Sequence, residues 1–184
     1  DNVMRGYWND PEATARSLAD GWLHTGDIGH LDADGYLHIT DRKRDFIKNS
    51  GGDMISPARV EGALTLTPEI AQAMVFGDRR PYLVAVIVPD PDFAAAYASG
   101  NGLPVDLELL SQDAGFHRAL GSAIELANQG LAAAERVRRF VIAVEPFSLL
   151  NAQLTPTLKI RRHAIREVYQ TAFDLLYDGK GMAA

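Results

Sequence analysis

The hydrophobic pattern is dominated by two apolar runs, IAQAMVF at residues 70–76 and YLVAVIV at residues 82–88. Each has the length of a buried strand and falls far short of the ~20 residues that cross a bilayer. The turn-forming GDRRP between them predicts a hairpin. A second hairpin is predicted where residues 28–31 and 36–40 flank Asp32-Ala33-Asp34-Gly35. Helical composition marks residues 12–20, led by Asp10-Pro11, and residues 59–66, led by Ser56-Pro57 with Glu61 near the start. A small helix is expected within residues 89–102, and helical pattern runs through residues 107–137. Residues 139–144 (RFVIAV) read as a strand, residues 160–177 as a closing helix, and the tail GKGMAA as frayed. Residues 21–27 and 49–53 are connectors. Hairpins predominate and helices alternate with strands irregularly. The fold class is therefore α+β, with a central, mostly antiparallel sheet flanked by helices.

Composition narrows the functional classes. With 184 residues, 47% hydrophobic and 23% charged, the chain can bury a core as one domain or a domain plus an appendage. A net charge of −6 counts against a general binder of nucleic acid or anionic membrane. The chain has no cysteine, so it forms neither a disulfide nor a thiolate metal site, in keeping with a reducing cytoplasm. The opening DNVMRGYWND lacks both an initiator methionine and a signal-peptide pattern, and reads as the cut edge of a longer protein.

Three stretches carry candidate chemistry: Thr25-Gly26-Asp27, residues 41–52 (DRKRDFIKNSGG) and residues 155–162 (TPTLKIRR). Each also has a plain structural reading. Asp27 serves a turn, DRKRD is a solvated edge, and Gly51-Gly52 is a loop needing positive φ. Lys159 is then an exposed residue in the first turn of the last helix. Helix N-termini favour anions, so a cation there leans toward a bound anion. The five histidines show no helical metal-ligand pairing, and neither a Gly-x-Ser-x-Gly elbow nor a phosphate-loop lysine motif is present.

Read together and in order, these stretches are more specific. The run GYWNDPEAT, GWLHTGDIGHLDADGYLHITDRKRDFIKNSGGDMISPARVE and, later, LTPTLKIRR resembles the adenylate-forming (AMP-binding) acyl-CoA synthetases, in their long-chain fatty acyl branch. The likeness extends from Val3 to about Tyr169 and is least marked over residues 89–137. It implies an enzyme that joins a fatty acid to ATP, releases pyrophosphate, and passes the acyl group from AMP to coenzyme A.

By this resemblance, residues 1–44 are the tail of the large AMP-binding domain, carrying a hairpin, and residues 45–184 form the small mobile lid domain. Asp27 would accept the ribose hydroxyls, as an ionised carboxylate with two acceptor oxygens can. Arg42 would reach ribose and phosphate, and Arg44 falls on the hinge position. Lys159 would be the catalytic lysine, reaching the carboxylate and the α-phosphate. Lys48, Gly51 and Gly52 would face coenzyme A in the thioester step, the glycines permitting close approach. Leu158 departs from the glycine that many relatives carry before this lysine. Arg161 and Arg162 read as ordinary helix surface.

The partners implied are the large N-terminal domain, fatty acid, ATP and coenzyme A, with Mg2+ ligands, the phosphate loop and the acyl tunnel upstream. No nucleic acid and no transmembrane segment are expected, and peripheral membrane association stays open. The chain alone is expected to be inactive, and Tyr7, Trp8 and Trp22 are expected to pack on structure outside it. Two other readings remain: an adenylating enzyme with another acceptor, such as a carrier protein or oxygen, and a non-catalytic module whose DRKR and KIRR segments bind an acidic partner.

Overall fold

The computed structural model describes residues 2–42 and 45–179. It divides into two compact units, Asp1–Phe46 and Ile47–Ala184. Arg44 lies outside the described residues.

In the smaller unit, helix α1 (Pro11–Ser17) starts where predicted, with the Ala13 amide donating to Asp10 Oδ1 at 2.8 Å and proline in the first turn. Strands β1 (Leu18–Ala19) and β2 (Trp22–Leu23) form a short antiparallel pair. The predicted hairpin follows as β3 (Asp27–Leu31) and β4 (Leu37–Arg42), whose register shifts between Ile28 and Gly29. Asp32 closes its turn by accepting the Asp34 and Tyr36 amides on Oδ1. Trp8 and Trp22 are 93% and 75% exposed.

The larger unit opens with β5 (Ile47–Lys48) and β6 (Met54–Ile55), an antiparallel pair around the glycine loop. Helix α2 (Pro57–Thr65) has Ser56 as its cap, accepting from the Arg59 amide at 3.2 Å. The two apolar runs form β7 (Ile70–Phe76) and β8 (Leu83–Pro89). Helices α3 (Pro91–Asn101), α4 (Leu107–Leu110) and α5 (Ala114–Gln129) carry the chain to β9 (Val137–Ile142), and α6 (Arg162–Tyr177) closes the unit.

The central sheet has the order β7-β8-β9. The β7–β8 hairpin is antiparallel, whereas β9 returns through the helical crossover to lie parallel to β8. Among the described residues the remaining named strand pairs are antiparallel, so the α+β reading holds with one parallel join. Alternation sorts β8 onto two cores. Leu83, Ala85 and Ile87 face α2 and α5 through Val60, Leu64, Phe116 and Leu120. Val84, Val86 and Val88 face α6 through Ile165, Phe173 and Leu176. A strand covered on both faces needs the continuous apolar run seen in the sequence.

The expected helical stretch of residues 107–137 is broken. Asp113 caps α5 by accepting the Phe116 amide at 2.7 Å, and it also accepts the Tyr97 hydroxyl at 2.7 Å. Past Gly130, residues Ala133–Glu135 make one 3-10 turn before β9 begins. No helix among the described residues is long and apolar enough to cross a membrane.

Candidate functional site

In the smaller unit, Gly26 takes φ +75 and the Asp27 amide donates to Thr25 Oγ1 at 3.1 Å. The turn is therefore made by Thr25 and Gly26, and Asp27 is the first residue of β3, half-buried and directly across the ladder from Arg42. The hairpin register thus brings together the two residues assigned to the nucleotide, as backbone partners.

In the larger unit, the glycine loop is a closed ring of hydrogen bonds centred on buried Asn49. Its side-chain amide donates to Asp53 Oδ2 at 2.9 Å and its Oδ1 accepts the Asp53 amide at 2.8 Å. Gly52 occupies φ +92, and a Cβ on Gly51 would come within 3.3 Å of Asn49 Oδ1. The loop is tied to the β7–β8 turn by Arg79 N–H to the Lys48 carbonyl (2.7 Å) and Ser50 N–H to the Arg80 carbonyl (3.0 Å). Lys48 itself is exposed.

Lys159 is not on the last helix, which starts at Arg162. It stands instead on a tight hairpin whose arms meet at Leu154 and Ile160. The Thr155 amide donates to the Lys159 carbonyl at 2.8 Å, the Lys159 amide to Thr155 Oγ1 at 3.0 Å, and the Leu158 amide to the Thr155 carbonyl at 2.8 Å. Pro156 at the first corner and a left-handed residue at the end are the makings of a three-residue hairpin loop. That left-handed residue is Leu158, at φ +57. A glycine is the easy occupant of this conformation, so the Cβ of Leu158 sits there at a cost. The Lys159 side chain is exposed and, among the described residues, makes no ion pair. Under the hairpin lies a groove of about 450 Å³ lined by Ala71, Ala73, Phe147, Leu154, Leu158 and Ile160.

The lysine and the glycine loop are not brought together. The lysine hairpin leans on the Ala71–Ala73 stretch of β7, while the loop is bonded to the turn beyond Phe76. The four steps from Gln72 to Phe76 alone span about 13 Å.

Arg162 corrects the reading of ordinary helix surface. Its guanidinium is bidentate to Glu61, Nη1 to Oε1 at 2.5 Å and Nη2 to Oε2 at 2.6 Å. Glu61 is buried and also accepts the Val75 amide at 2.9 Å. A signal for it was present: Pro57, Val60, Glu61 and Leu64 are the buried positions of α2, at the spacing of a core-facing stripe. A carboxylate in such a stripe demands a cationic partner. Among the described residues no group of three or more His, Cys, Asp or Glu side chains is placed to hold a metal ion.

Residues 44–181 match the AMP-binding enzyme C-terminal domain. The chain belongs to this family. Its relatives include the long-chain-fatty-acid–CoA ligase FadD15 of Mycobacterium tuberculosis, 34% identical over 96% of this chain and 30% of that protein. Long-chain-fatty-acid–CoA ligase 5 of Rattus norvegicus is 37% identical over 96% of this chain and 26% of its own length. Among solved structures, the A-PCP didomain of the carboxylic acid reductase from Segniliparus rugosus, in complex with AMP, superposes with a TM-score of 0.77 at 29% identity. It covers 95% of this chain and 23% of that one. This chain thus spans less than a third of the length of these relatives, and the resemblance read from its motifs is borne out.

Proposed function

We propose that this chain is the C-terminal segment of a fatty acyl-CoA synthetase that activates a long-chain fatty acid with ATP to acyl-AMP and transfers it to coenzyme A. The observation that carries the reading is Lys159, an exposed cation on a bonded hairpin, inside a chain 34–37% identical to long-chain-fatty-acid–CoA ligases. In the first half-reaction the ammonium of Lys159 meets the fatty carboxylate and the α-phosphate. A cation ~4 Å from an anion is worth roughly 4 kcal/mol at an effective dielectric near 20. It speeds adenylation to the extent that the term grows as charge gathers on the phosphoryl oxygens.

Asp27 takes the ribose hydroxyls, and Arg42 the ribose and phosphate. In the second half-reaction the small domain of residues 45–184 rotates, with Arg44 at the hinge. Lys159 withdraws, and Lys48, Gly51 and Gly52 line the path of the pantetheine arm. Support for such exchange comes from the separate anchoring of the two constellations, the lysine hairpin against β7 and the glycine loop on the β7–β8 turn. The large domain that completes the enzyme supplies the Mg2+ ligands and the acyl tunnel, and residues 1–44 are its tail.

The test is Lys159→Ala in the full-length enzyme. Acyl-adenylate formation should be lost, while thioester formation from supplied acyl-adenylate and coenzyme A continues. Equal loss in both half-reactions overturns the reading. A second reading, delivery to a carrier-protein pantetheine, is favoured by the likeness to the carboxylic acid reductase didomain. Acyl transfer to a phosphopantetheinylated carrier in preference to free coenzyme A would establish it.

A further inference from the structure

We propose that Glu61 and Arg162 are positioning residues for adenylation, fixing the base of the hairpin that presents Lys159. The inference rests on the role of Lys159 given above. Because Lys159 makes no ion pair among the described residues, its place is set by whatever holds its hairpin. The chain leaves the sheet at Ile142 and enters α6 at Arg162. Both ends of this excursion are tied to the α2–β7 layer. At the near end the Phe147 amide donates to Gln72 Oε1 at 2.8 Å and the Gln72 side-chain amide donates to the Phe147 carbonyl at 3.2 Å. At the far end stands the bidentate Arg162–Glu61 pair.

The Val75 amide adds a third hydrogen bond to the carboxylate, on the Oε1 that Nη1 also reaches. A planar guanidinium gripping both carboxylate oxygens fixes direction as well as distance, which a lysine cannot do. Arg162 begins α6 and lies three residues from Lys159, so a tilt at this joint displaces the ammonium. Buried ion pairs are poor sources of net stability and better at specifying one arrangement. Misplacing a reacting group by about 1 Å costs on the order of 100-fold in rate.

The test uses the full-length enzyme with Arg162→Lys, Glu61→Gln and, as control, Lys159→Ala. Adenylation is read by pyrophosphate exchange into ATP. The thioester step is read with supplied palmitoyl-adenylate and coenzyme A. Arg162→Lys and Glu61→Gln should each slow adenylation roughly 10- to 100-fold and leave the thioester step within about twofold of the unsubstituted enzyme. In the double variant, Arg162→Lys should add no further loss to Lys159→Ala, because it acts through that side chain. Equal slowing of both half-reactions, or none, overturns the positioning role. If Lys159→Ala spares adenylation, the role of the lysine falls and this inference with it. If Lys159→Ala abolishes adenylation while both pair variants retain it, the inference alone fails.

Discussion

Leu158 offers a sharp test of the hairpin geometry, because it sets two ordinary preferences against each other. At most positions alanine is more stabilising than glycine, since glycine has more freedom to lose. At φ +57 the order should reverse. Leu158 is 69% exposed and lines the groove with the remainder. Full burial of a leucine is worth about 1.5–3 kcal/mol, so removing the covered third should cost Leu158→Ala about 0.5–1 kcal/mol.

The alanine retains a Cβ and with it the left-handed penalty of about 1–2 kcal/mol. Leu158→Gly sheds that penalty, offset by about 0.4–1 kcal/mol of added freedom in the unfolded chain. The glycine variant should therefore exceed the alanine variant by about 0.8 kcal/mol. At 2–4 °C per kcal/mol for a chain of this size, that is roughly 2–3 °C in the thermal midpoint. Urea denaturation of the two variants, followed by circular dichroism, reads the difference directly. An alanine variant more stable than the glycine one would refute the left-handed assignment and the hairpin built on it.

Two further outcomes follow from the same physics. His117 is buried against Phe140, ring centroids 4.1 Å apart, and burial lowers its pKa below the ordinary 6.5. Below pH 6.5 the unfolded chain takes up a proton that the folded one refuses, so stability should fall with decreasing pH, by at most about 1.4 kcal/mol per unit. Denaturation midpoints between pH 7 and 5 should show this slope in the native chain and a shallower one in His117→Gln; identical slopes would discount the histidine. Gly52→Ala should cost about 1–2 kcal/mol although nothing lies within 4 Å of the added Cβ, because the backbone sits at φ +92. An unchanged urea midpoint would show that the loop does not need that conformation.

The sequence was most legible where one local rule decided the outcome. YLVAVIV is a central strand because both its faces are covered, and Ser56-Pro57 and Asp10-Pro11 start helices as capping chemistry requires. Asp113 and Gly130 carried the same kind of signal, but the helical composition of residues 107–137 masked the break. The parallel join of β9 to β8 was not legible, because nothing local to either strand records its neighbour's direction. Lys159 was singled out through its company, yet its setting on a hairpin depends on hydrogen bonds from Thr155 that no periodicity announces. Arg162 was misread for a related reason. Its partner Glu61 lies 101 positions away, and a charge in a first helical turn reads as solvated until that partner is found.

The parallel join also orders events during synthesis. β8 pairs with β7 as soon as the hairpin emerges, but its other edge stays open until β9 returns across the crossover. Its second face waits longer, for α6. A nascent chain therefore carries an apolar strand with an open edge until β9 has been made, and such edges recruit other chains. Loss of α6 would leave Met74, Phe76, Val84 and Val86 uncovered. The helix that follows the lysine hairpin thus also shields the sheet from self-association, which couples completion of the site to the solubility of the chain that carries it.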